Sequence, residues 1–293
     1  MDVSDLRIFE SVARLRNMNR AAEELNTVQS NVTARIRQLE AELDVRLFDR
    51  HSRGVNPTSA GLRLLPYAVK AMSLIADARK AVADDGTPVG PLIIGALETA
   101  LAFRLSRGVA AFARAHPGVD LTIKTGTTAE LVELVLDYGV EGAFVCGPVN
   151  HPELEETACF LEEMAIISSP AVERLDTVLS NPNLKQIVLR AGCSYRQRLE
   201  DILARRGVVG TKTLEFATLE AILSAVAAGV GISLLPLRMI GTTWPADRVR
   251  THRLPREESD VETVFIRRRD AYLSSALAVF LHQVTTADAN DAA

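Results

Sequence analysis

The chain is poor in the features that mark secreted, membrane and disulfide-bonded proteins. It has three cysteines in 293 residues, an odd number at no metal-ligand spacing, which favours a reducing cytoplasm over a disulfide framework. The N-terminus carries acidic residues and lacks an apolar signal region, so we expect no secretion. The longest uncharged apolar run, Ala221 to Leu237, is interrupted by Gly229, Gly231 and Pro236 and is too short to span a bilayer.

Signatures of catalysis are also missing from the sequence. There is no nucleophile elbow, no His-Glu-x-x-His zinc motif and no phosphate-binding loop. The segment Gly229-Val230-Gly231 lacks the third glycine of a dinucleotide fingerprint and opens a predicted strand rather than a helix. We therefore predict that the protein is not an enzyme, and we expect no catalytic residues, no metal and no cofactor.

Lysine is absent before Lys70, so every early cation is an arginine, the residue suited to bidentate contacts. The formal net charge is −4, but residues 14–63 contain nine arginines against six acids. A local excess of this kind is sufficient for DNA binding, so the overall charge does not exclude it. With 47% hydrophobic and 24% charged residues, the composition indicates a globular protein with room for two or three units.

Apolar spacing within residues 19–43 predicts two helices joined by a tight corner. Asn19 is placed to cap the first helix, whose inward residues are Ala21, Ala22 and Leu25. The corner at residues 26–28 is polar and β-branched, which disfavours helix. The second helix has one inward stripe, formed by Val32, Ile36, Leu39 and Leu43.

The opposite face of the second helix carries side chains suited to reading DNA. Gln and Asn bond adenine edges, Arg bonds guanine or phosphate, and Ser, Thr and Ala let a helix enter a major groove. The face consists of Gln29, Ser30, Asn31, Thr33, Ala34, Arg35, Arg37 and Gln38. This arrangement is typical of a helix-turn-helix, although an ordinary amphipathic pair with a solvated polar face has the same spacing.

The stretch 47–61 separates these alternatives. It predicts a short hairpin with a basic tip, Arg50 to Arg53, and such a hairpin beside a reading helix is a wing that touches the flanking DNA backbone or minor groove. A known family shares an ordered set of residues with this chain: Leu6, Phe9, Ala13, Ala21, Ala22, Leu25, Gln29, Val32, Ile36, Arg37, Gln38, Leu39, Glu40, Leu43, Leu47, Phe48, Arg50, Arg53, Thr58, Ala60 and Gly61. On this set the sequence resembles the LysR-type transcriptional regulators of bacteria.

The resemblance implies a homodimer or homotetramer that binds double-stranded promoter DNA at interrupted palindromes and responds to small, often anionic effectors. RNA polymerase is a candidate further partner. The predicted DNA contacts are Asn19, Gln29, Ser30, Asn31, Thr33, Ala34, Arg35, Arg37, Arg50 and Arg53. The chain departs from the usual family residues at Asn17-Met18-Asn19, Val28, Ser30-Asn31 and Pro57, which bears on base preference and not on the mode of binding.

A long helix is predicted next, from a cap at Thr58 or Ser59 to about Asp84. It has two apolar stripes: Leu62, Leu65, Val69, Met72 and Ala76 on one side, and Leu64, Ala68, Ala71, Ile75, Ala78 and Val82 on the other. A helix with two such stripes needs two partners, its own domain and the same helix of a second subunit; burial in one domain is the alternative. Pro66 is expected to kink the helix, and residues 84–91 to end it as a hinge.

From Leu92 onward, predicted strands alternate with helices, which indicates a parallel sheet covered on both faces. The alternation occurs twice, with strands at 92–94, 121–125, 143–146, 186–190, 213–216 and 230–235 and helices at 100–115, 129–138, 194–206 and 219–228. Strands at 163–168 and 261–267 are predicted to cross between the two copies, and a last helix at 271–284 to rejoin the first. The result is two lobes with a cleft, the shape of a periplasmic binding protein. We expect the tail from Thr285 to be disordered.

The chain is thus divided into three parts. Residues 1–58 are predicted as an all-α winged helix-turn-helix and residues 59–89 as the linker helix and hinge. Residues 90–293 are predicted as an α/β effector domain, with lobe I at about 90–163 and 269–293 and lobe II at about 164–268.

The cleft is the expected ligand site, because ligands bind beyond the carboxyl ends of strands and against helix N-termini. Backbone N–H groups and hydroxyls at these ends favour an anion, and a small carboxylate-bearing or otherwise anionic effector is predicted. The predicted contacts are Thr99, Thr127, Thr128, Cys193, Ser194, Tyr195, Arg196 and Thr218. The alternative for each Thr and Ser is a simple helix cap. Arg190 and Arg196 supply the counter-charge in this interpretation, or form surface ion pairs in the alternative.

Cys193 follows a predicted strand and precedes a predicted helix, so the helix dipole is placed to activate its thiol. Its position resembles that of the peroxide-reactive cysteine in the oxidant-sensing branch of the family. That branch needs a resolving cysteine a few residues downstream, and residues 194–210 contain none. We therefore expect Cys193 to line the cleft without a redox role.

Two hypotheses follow from the whole sequence. The first is a cytoplasmic DNA-binding regulator that responds to a small effector. The second is a soluble small-molecule binding protein whose N-terminal helices serve dimerisation only. The basic wing beside a Gln/Asn/Arg-bearing helix favours the first, because the second has no use for it.

Overall fold

The computed structural model describes residues 1–51, 54–241 and 244–291. The chain forms two compact units, Met1–Asp85 and Gly86–Ala293. Each unit has its own apolar core. In the part of the chain that is described, no helix is long and apolar enough to cross a membrane.

The N-terminal unit has the predicted winged helix-turn-helix and long following helix. Its elements are α1 (Val3–Leu15), α2 (Met18–Glu24), α3 (Gln29–Glu42), β1 (Phe48–His51), β2 (Gly54–Pro57) and α4 (Ser59–Ala83). The predicted inward residues Phe9, Ala21, Val32, Ile36 and Leu39 are fully buried in one cluster. Burial of each of the four larger side chains stabilises the fold by about 1.5–3 kcal/mol, so the stripe of Val32, Ile36 and Leu39 positions α3.

Two details of the helix-turn-helix differ from prediction. Asn17 is the N-cap of α2, and its Oδ1 accepts hydrogen bonds from the backbone N–H groups of Asn19 (2.9 Å) and Arg20 (3.1 Å). The predicted cap at Asn19 was wrong, because the helix starts two residues earlier, at the buried Met18. Leu43 was placed in the buried stripe, but it lies at the C-cap of α3 and is 37% exposed.

The wing is tied to α3 by one carboxylate. Glu40 Oε1 accepts hydrogen bonds from the N–H groups of Leu47 (2.8 Å) and Phe48 (3.2 Å), where the chain enters the hairpin. Gly61, in the first turn of α4, passes so close to the Leu47 carbonyl that a Cβ there would collide with it. The start of the hairpin is therefore fixed both by α3 and by the first turn of α4.

The helix α4 is capped by Thr58, whose Oγ1 accepts a hydrogen bond from the Gly61 N–H at 3.1 Å. Pro66 lies inside it, as expected from the sequence. Only Gly61 and Ala68 are buried along its length, whereas Leu62, Tyr67, Leu74 and Val82 are 58–91% exposed. The alternative in which its own domain buries this helix is wrong.

The C-terminal unit is built from a mixed sheet and a second, smaller sheet. Its strands are β3 (Gly90–Ala96), β4 (Val119–Thr125), β5 (Gly142–Cys146), β6 (Leu154–Ser168), β7 (Lys185–Leu189), β8 (Lys212–Phe216), β9 (Ser233–Pro236), β10 (Arg250–Arg253) and β11 (Asp260–Arg268). Its α-helices are α5 (Glu98–Ala100), α6 (Ser106–Ala115), α7 (Thr128–Leu136), α8 (Leu175–Leu179), α9 (Ser194–Arg205), α10 (Leu219–Ala227), α11 (Arg256–Ser259) and α12 (Ser275–Asp291). A π-helical segment, Leu101–Leu105, joins α5 to α6.

The strand order explains the two lobes. In lobe I, β3 pairs in parallel with β4 and β5, β11 pairs antiparallel with β5, and β6 pairs antiparallel with β11. The strand β6 continues into lobe II, where it pairs antiparallel with β9 and β10, and β7 and β8 pair in parallel. The predicted parallel pairing is found among β3, β4 and β5 and between β7 and β8, whereas the crossing strands β6 and β11 run antiparallel to their neighbours.

Apolar side chains on both faces of the lobe II strands confirm that the strands are covered on both sides. Val188 of β7 packs with Leu199 of α9, whereas its neighbour Ile187 packs with Leu223 of α10. Since successive strand residues point to opposite faces, α9 and α10 lie on different sides of the sheet. This arrangement brings the N-terminus of α9 to the edge that faces lobe I.

The described part of the chain ends in a helix, α12, where the sequence predicted a disordered tail. The backbone of α12 continues to Asp291, so the prediction of disorder from Thr285 was wrong. Phe280 and Val284 of α12 are fully buried in the lobe I core. The anchored first half of the helix is sufficient to propagate the backbone through the polar residues that follow.

Candidate functional site

The exposed face of α3 carries the predicted DNA-reading residues. Gln29, Ser30, Asn31, Ala34 and Arg37 are exposed, and Thr33 is half-buried. Two local hydrogen bonds orient this face: Gln29 Nε2 donates to Thr33 Oγ1 at 3.2 Å, and Asn31 Nδ2 donates to Thr27 Oγ1 at 3.0 Å. Val28, the N-cap of α3, has an exposed side chain that makes no capping hydrogen bond. It therefore does not occupy the first backbone N–H groups of α3.

Arg35 lies on the same helix, but its guanidinium pairs with acidic residues at the start of α1. Its Nη1 donates to Asp5 Oδ1 at 3.0 Å and lies 3.5 Å from Asp2 Oδ2. Asp5 is buried, and its other oxygen accepts the Asp2 N–H at 2.9 Å in the capping box of α1. The same set of bonds lowers the pKa of the Asp2 carboxyl, chiefly through the backbone N–H of Asp5. Arg35 therefore joins α1 to α3.

Further predicted DNA contacts lie outside α3. Arg50 is exposed on β1, and Asn19 is exposed in the first turn of α2. Arg53, the other arginine of the predicted wing tip, lies outside the described residues. Of the predicted DNA-facing set, the described members other than Thr33 and Arg35 are thus exposed.

A cavity of about 170 Å³ lies between the lobes of the C-terminal unit. The carboxyl ends of strands and the helix N-termini that were predicted to form the ligand site meet at this cavity. Its lining consists of Leu97, Glu98, Thr99, Thr125, Gly126, Thr127, Thr128, Cys146, Leu189, Arg190, Cys193, Ser194, Tyr195 and Ala217. Six of the eight predicted effector contacts are among them, with Arg196 and Thr218 as the exceptions.

Hydroxyl groups bridge the two lobes across this cavity. Ser194 Oγ, at the start of α9 in lobe II, donates to Thr128 Oγ1 at 2.9 Å, at the start of α7 in lobe I. The Thr99 and Tyr195 hydroxyls lie 3.1 Å apart, and burial raises the pKa of Tyr195 above its ordinary value. The Tyr195 phenol therefore stays neutral, able to donate or accept.

An ion pair that involves one lining residue of the cavity, Arg190, also joins the lobes. Arg190, which follows β7, donates from Nη2 to Glu130 Oε2 on α7 at 2.9 Å. Arg196 points elsewhere, to Glu200 at 3.2 Å and Glu215 at 3.4 Å, so it forms the surface ion pairs that were the alternative. Thr218 caps α10 by accepting from the Ala221 N–H at 3.3 Å.

Two thiols, Cys146 and Cys193, line the same cavity from opposite lobes. Burial raises the pKa of both thiols, although hydrogen bonds act in the opposite direction on each. A raised pKa leaves less thiolate at neutral pH, so the environment does not activate Cys193. All three cysteines are free thiols.

Sequence reasoning missed several residues at this site. Cys146 ends β5, and the rule that ligands sit beyond strand ends was sufficient to find it. Glu130 carried no signal beyond its place three residues after the Thr127 cap, which indicates only a capping box. Its contact with Arg190, 60 residues away, depends on how the lobes pack. Within residues 1–51, 54–241 and 244–291, no group of His, Cys, Asp and Glu side chains is placed to hold a metal ion.

Two family models match the chain. One is described as a bacterial regulatory helix-turn-helix protein of the lysR family and matches residues 3–62. The other is described as a LysR substrate binding domain and matches residues 85–289.

Curated relatives match over nearly their full length. The chain is 42% identical over 285 residues to the uncharacterized HTH-type transcriptional regulator YusT of Bacillus subtilis, with 97% of this chain and 96% of that protein covered. It is 40% identical to the HTH-type transcriptional regulator GltR of the same organism, with 96% and 95% covered.

Solved structures share the fold at low identity. A full-length variant of OxyR from Pseudomonas aeruginosa superposes with a TM-score of 0.71 at 20% identity, over 97% of this chain and 94% of that one. Full-length CbnR in complex with its target DNA has a TM-score of 0.65 at 20% identity, over 98% of this chain and 100% of that one.

Proposed function

This chain belongs to the LysR family of bacterial transcriptional regulators, and we propose that it binds its operator through the exposed face of α3 and the wing while an anionic effector occupies the interlobe cavity. Proteins of this family are DNA-binding regulators with a substrate-binding domain and are not enzymes. The family therefore excludes the alternative in which the N-terminal helices serve dimerisation only.

The DNA side of the proposal rests on the exposure of Gln29, Ser30, Asn31, Ala34 and Arg37 opposite a fully buried stripe. These side chains contact base edges and the adjacent backbone, with Asn19 and Thr33 at the margin of the surface. Arg50 and Arg53 of the wing contact phosphate, the minor groove or both. Because Arg35 is held by Asp5, its role on DNA is the least supported of the set.

The effector side rests on one observation: hydroxyls from both lobes converge on one cavity that also receives Arg190. We infer a small carboxylate-bearing or otherwise anionic molecule held by Thr99, Thr128 and Ser194, with Thr127, Cys193 and Tyr195 completing the cavity. The Ser194–Thr128 bond joins the lobes, so an effector that exchanges it changes the balance between open and closed arrangements.

The remaining parts of the proposal concern assembly and setting. The exposed apolar side of α4 supports a homodimer through this helix, and a homotetramer on an interrupted palindrome is the larger form. Contact with RNA polymerase is proposed as the route to transcription. A regulator of this kind works in the cytoplasm, where the DNA is.

Two experiments test the proposal. A mobility shift with the DNA upstream of the chain's own gene tests operator binding, and Arg37→Ala should weaken it.

A thermal-stabilisation screen of metabolites on the full chain identifies the effector class. In calorimetric titration of a hit, Thr128→Ala and Ser194→Ala should each cost about 1.5–3 kcal/mol of affinity. Thr122→Ala, exposed on β4 outside the cavity, is the control. Unchanged affinity in both cavity variants, or a cationic effector, would contradict the placement.

A further inference from the structure

Glu130 has an unusual pair of partners for a helix-capping carboxylate. Its Oε2 accepts the backbone N–H of Thr127 at 2.8 Å, as in an ordinary capping box on α7. The same oxygen accepts Arg190 Nη2 from the opposite lobe at 2.9 Å. A helix N-terminal amide and a guanidinium are the donors that a ligand carboxylate uses in proteins. The Glu130 carboxylate oxygen thus occupies two hydrogen-bond donors, the Thr127 N–H and the Arg190 guanidinium, that suit an anionic effector.

The two donors that Glu130 occupies belong to residues that line the cavity. Arg190 and Thr127 both line the cavity, one from each lobe. Glu130 is not part of the lining, and its side chain is 47% exposed. The carboxylate therefore reaches the two donors from the solvent side, with water available on its outer face.

The energetics favour exchange. The Arg190 side chain is 56% exposed, so the pair is solvated and its net stabilisation is small. Replacing one carboxylate by another keeps the guanidinium paired, and the released Glu130 passes into water without a burial penalty. A neutral molecule of the same shape has no group that can take over the pairing.

We propose that Glu130 is an intramolecular competitor for the effector, pairing with Arg190 until a carboxylate-bearing effector displaces it. This inference rests on the proposed role of the cavity as the effector site. It names Arg190 as the residue that recognises the effector's carboxylate and Glu130 as the residue that sets the threshold for it. The exchange also removes one bond between the lobes, so the effector becomes the link between them.

The two cavity thiols allow a test that needs no knowledge of the effector. In the full chain carrying Cys159→Ser, which removes the thiol outside the cavity, Cys146 and Cys193 are reacted with two aryl disulfides. Dithiobis(nitrobenzoate) is dianionic and dithiodipyridine is neutral. In each reaction a cysteine thiolate attacks the disulfide and one aryl thiolate leaves. The rate with the anionic reagent divided by the rate with the neutral reagent measures how strongly the cavity attracts an anion. Thiol reactivity and opening of the lobes affect both rates alike, so they cancel in this ratio.

Glu130→Gln should raise this ratio about threefold to tenfold, since it frees the charge of Arg190, which lines the same cavity as both thiols. Gln is also accepted in a capping box, so α7 keeps its cap. Arg190→Gln should lower the ratio, and in that background Glu130→Gln should have little effect. Glu133→Gln removes the same charge from an exposed position of α7 and is the matched control.

The inference is overturned if Glu130→Gln raises the ratio no more than Glu133→Gln does, or equally with and without Arg190. Circular dichroism of each variant confirms that the change is not unfolding. Failure of the inference is distinct from failure of the proposed function: a metabolite screen can return an anion while the ratio stays unchanged. A screen that returns only cations or neutral molecules refutes the anionic effector whatever the ratio does.

Discussion

Arg35 shows how a side chain on a DNA-reading helix can belong to the fold instead. The helical pattern alone placed it beside Gln29 and Arg37, on the side away from Val32 and Ile36. The structure gives it a buried acceptor, Asp5, on the first helix. A periodicity argument identifies the face of a helix but not whether another helix supplies a partner there.

This difference predicts opposite effects for two neighbouring arginines. Arg35→Ala leaves the buried Asp5 without its cation and should lower the free energy of unfolding by about 1–2 kcal/mol, a value reduced because Arg35 is one-third exposed. Arg37→Ala should leave stability within about 0.5 kcal/mol and weaken operator binding. Urea denaturation and mobility shifts on both variants check this. Equal stability of the two variants would contradict the structural role of Arg35.

Cys193 is predicted to be indifferent to peroxide. Burial raises the pKa of its thiol, so the reactive thiolate is scarce at neutral pH and becomes available only as the pH rises through that pKa. Operator binding by wild type and by Cys193→Ser should therefore be the same before and after peroxide. Modest changes in effector affinity are expected in the variant, because the sulfur lines the cavity. A peroxide response of DNA binding that disappears in Cys193→Ser would overturn this expectation.

At the scale of elements, the sequence was most informative where apolar spacing and capping agree. Thr127 and Thr218 cap α7 and α10 as their positions indicated, and the bounds of these two helices differ by at most two residues from prediction. The first half of β6 was missed because charged and apolar residues follow one another there without a regular period. The edge strand β10 was missed because its sequence, Arg-Thr-His-Arg, is polar. Such strands form because a neighbour supplies the hydrogen bonds, which the local sequence does not encode.

The helix α4 is predicted to hold two subunits together. Its exposed apolar residues leave a surface that a monomer would present to water. Leu74→Glu should shift the protein toward monomers and weaken operator binding, because a buried charge at the helix pair is costly. Analytical ultracentrifugation measures the shift. Arg79→Glu, at an exposed position of the same helix that is already polar, should leave the assembly unchanged. A monomer-free Leu74→Glu protein would exclude α4 as the contact.

For the whole molecule, the distribution of charge matters more than its sum. The protein carries a net charge of −4, while nine arginines lie within residues 14–63. Electrostatic attraction to DNA is thus local to one unit, and the remainder of the chain is mildly acidic. We expect operator affinity to fall steeply with salt, because each arginine on a phosphate releases counterions.

Arg50→Ala should reduce the slope of log affinity against log salt by about one unit if Arg50 neutralises one phosphate. The loss should be similar on operator and unrelated DNA. Fluorescence anisotropy with labelled DNA at several salt concentrations measures both. A variant with an unchanged slope would place Arg50 away from the backbone.

The interlobe site could be predicted only in part, for a reason that applies to the whole molecule. Strand ends and helix starts are local features, so Thr99, Thr128 and Ser194 were found from the sequence. The hydrogen bonds Ser194–Thr128 and Arg190–Glu130 join residues that are 66 and 60 positions apart in the chain. They therefore depend on the packing of one lobe against the other. Arg196 was predicted as a counter-charge for the effector, but its place on α9 turns it toward Glu200.

The chain contains a single tryptophan, Trp244, 8% exposed in the lobe II cluster against which Phe103 of lobe I also packs. Intrinsic fluorescence from indole therefore arises at one place in the molecule. Its emission wavelength reports the polarity around lobe II and is silent to melting of the N-terminal unit, which has no indole. Denaturation followed by emission and by far-ultraviolet ellipticity should give coincident curves only if the two units unfold together. A gap between the curves would measure the independence of the DNA-binding unit without any label.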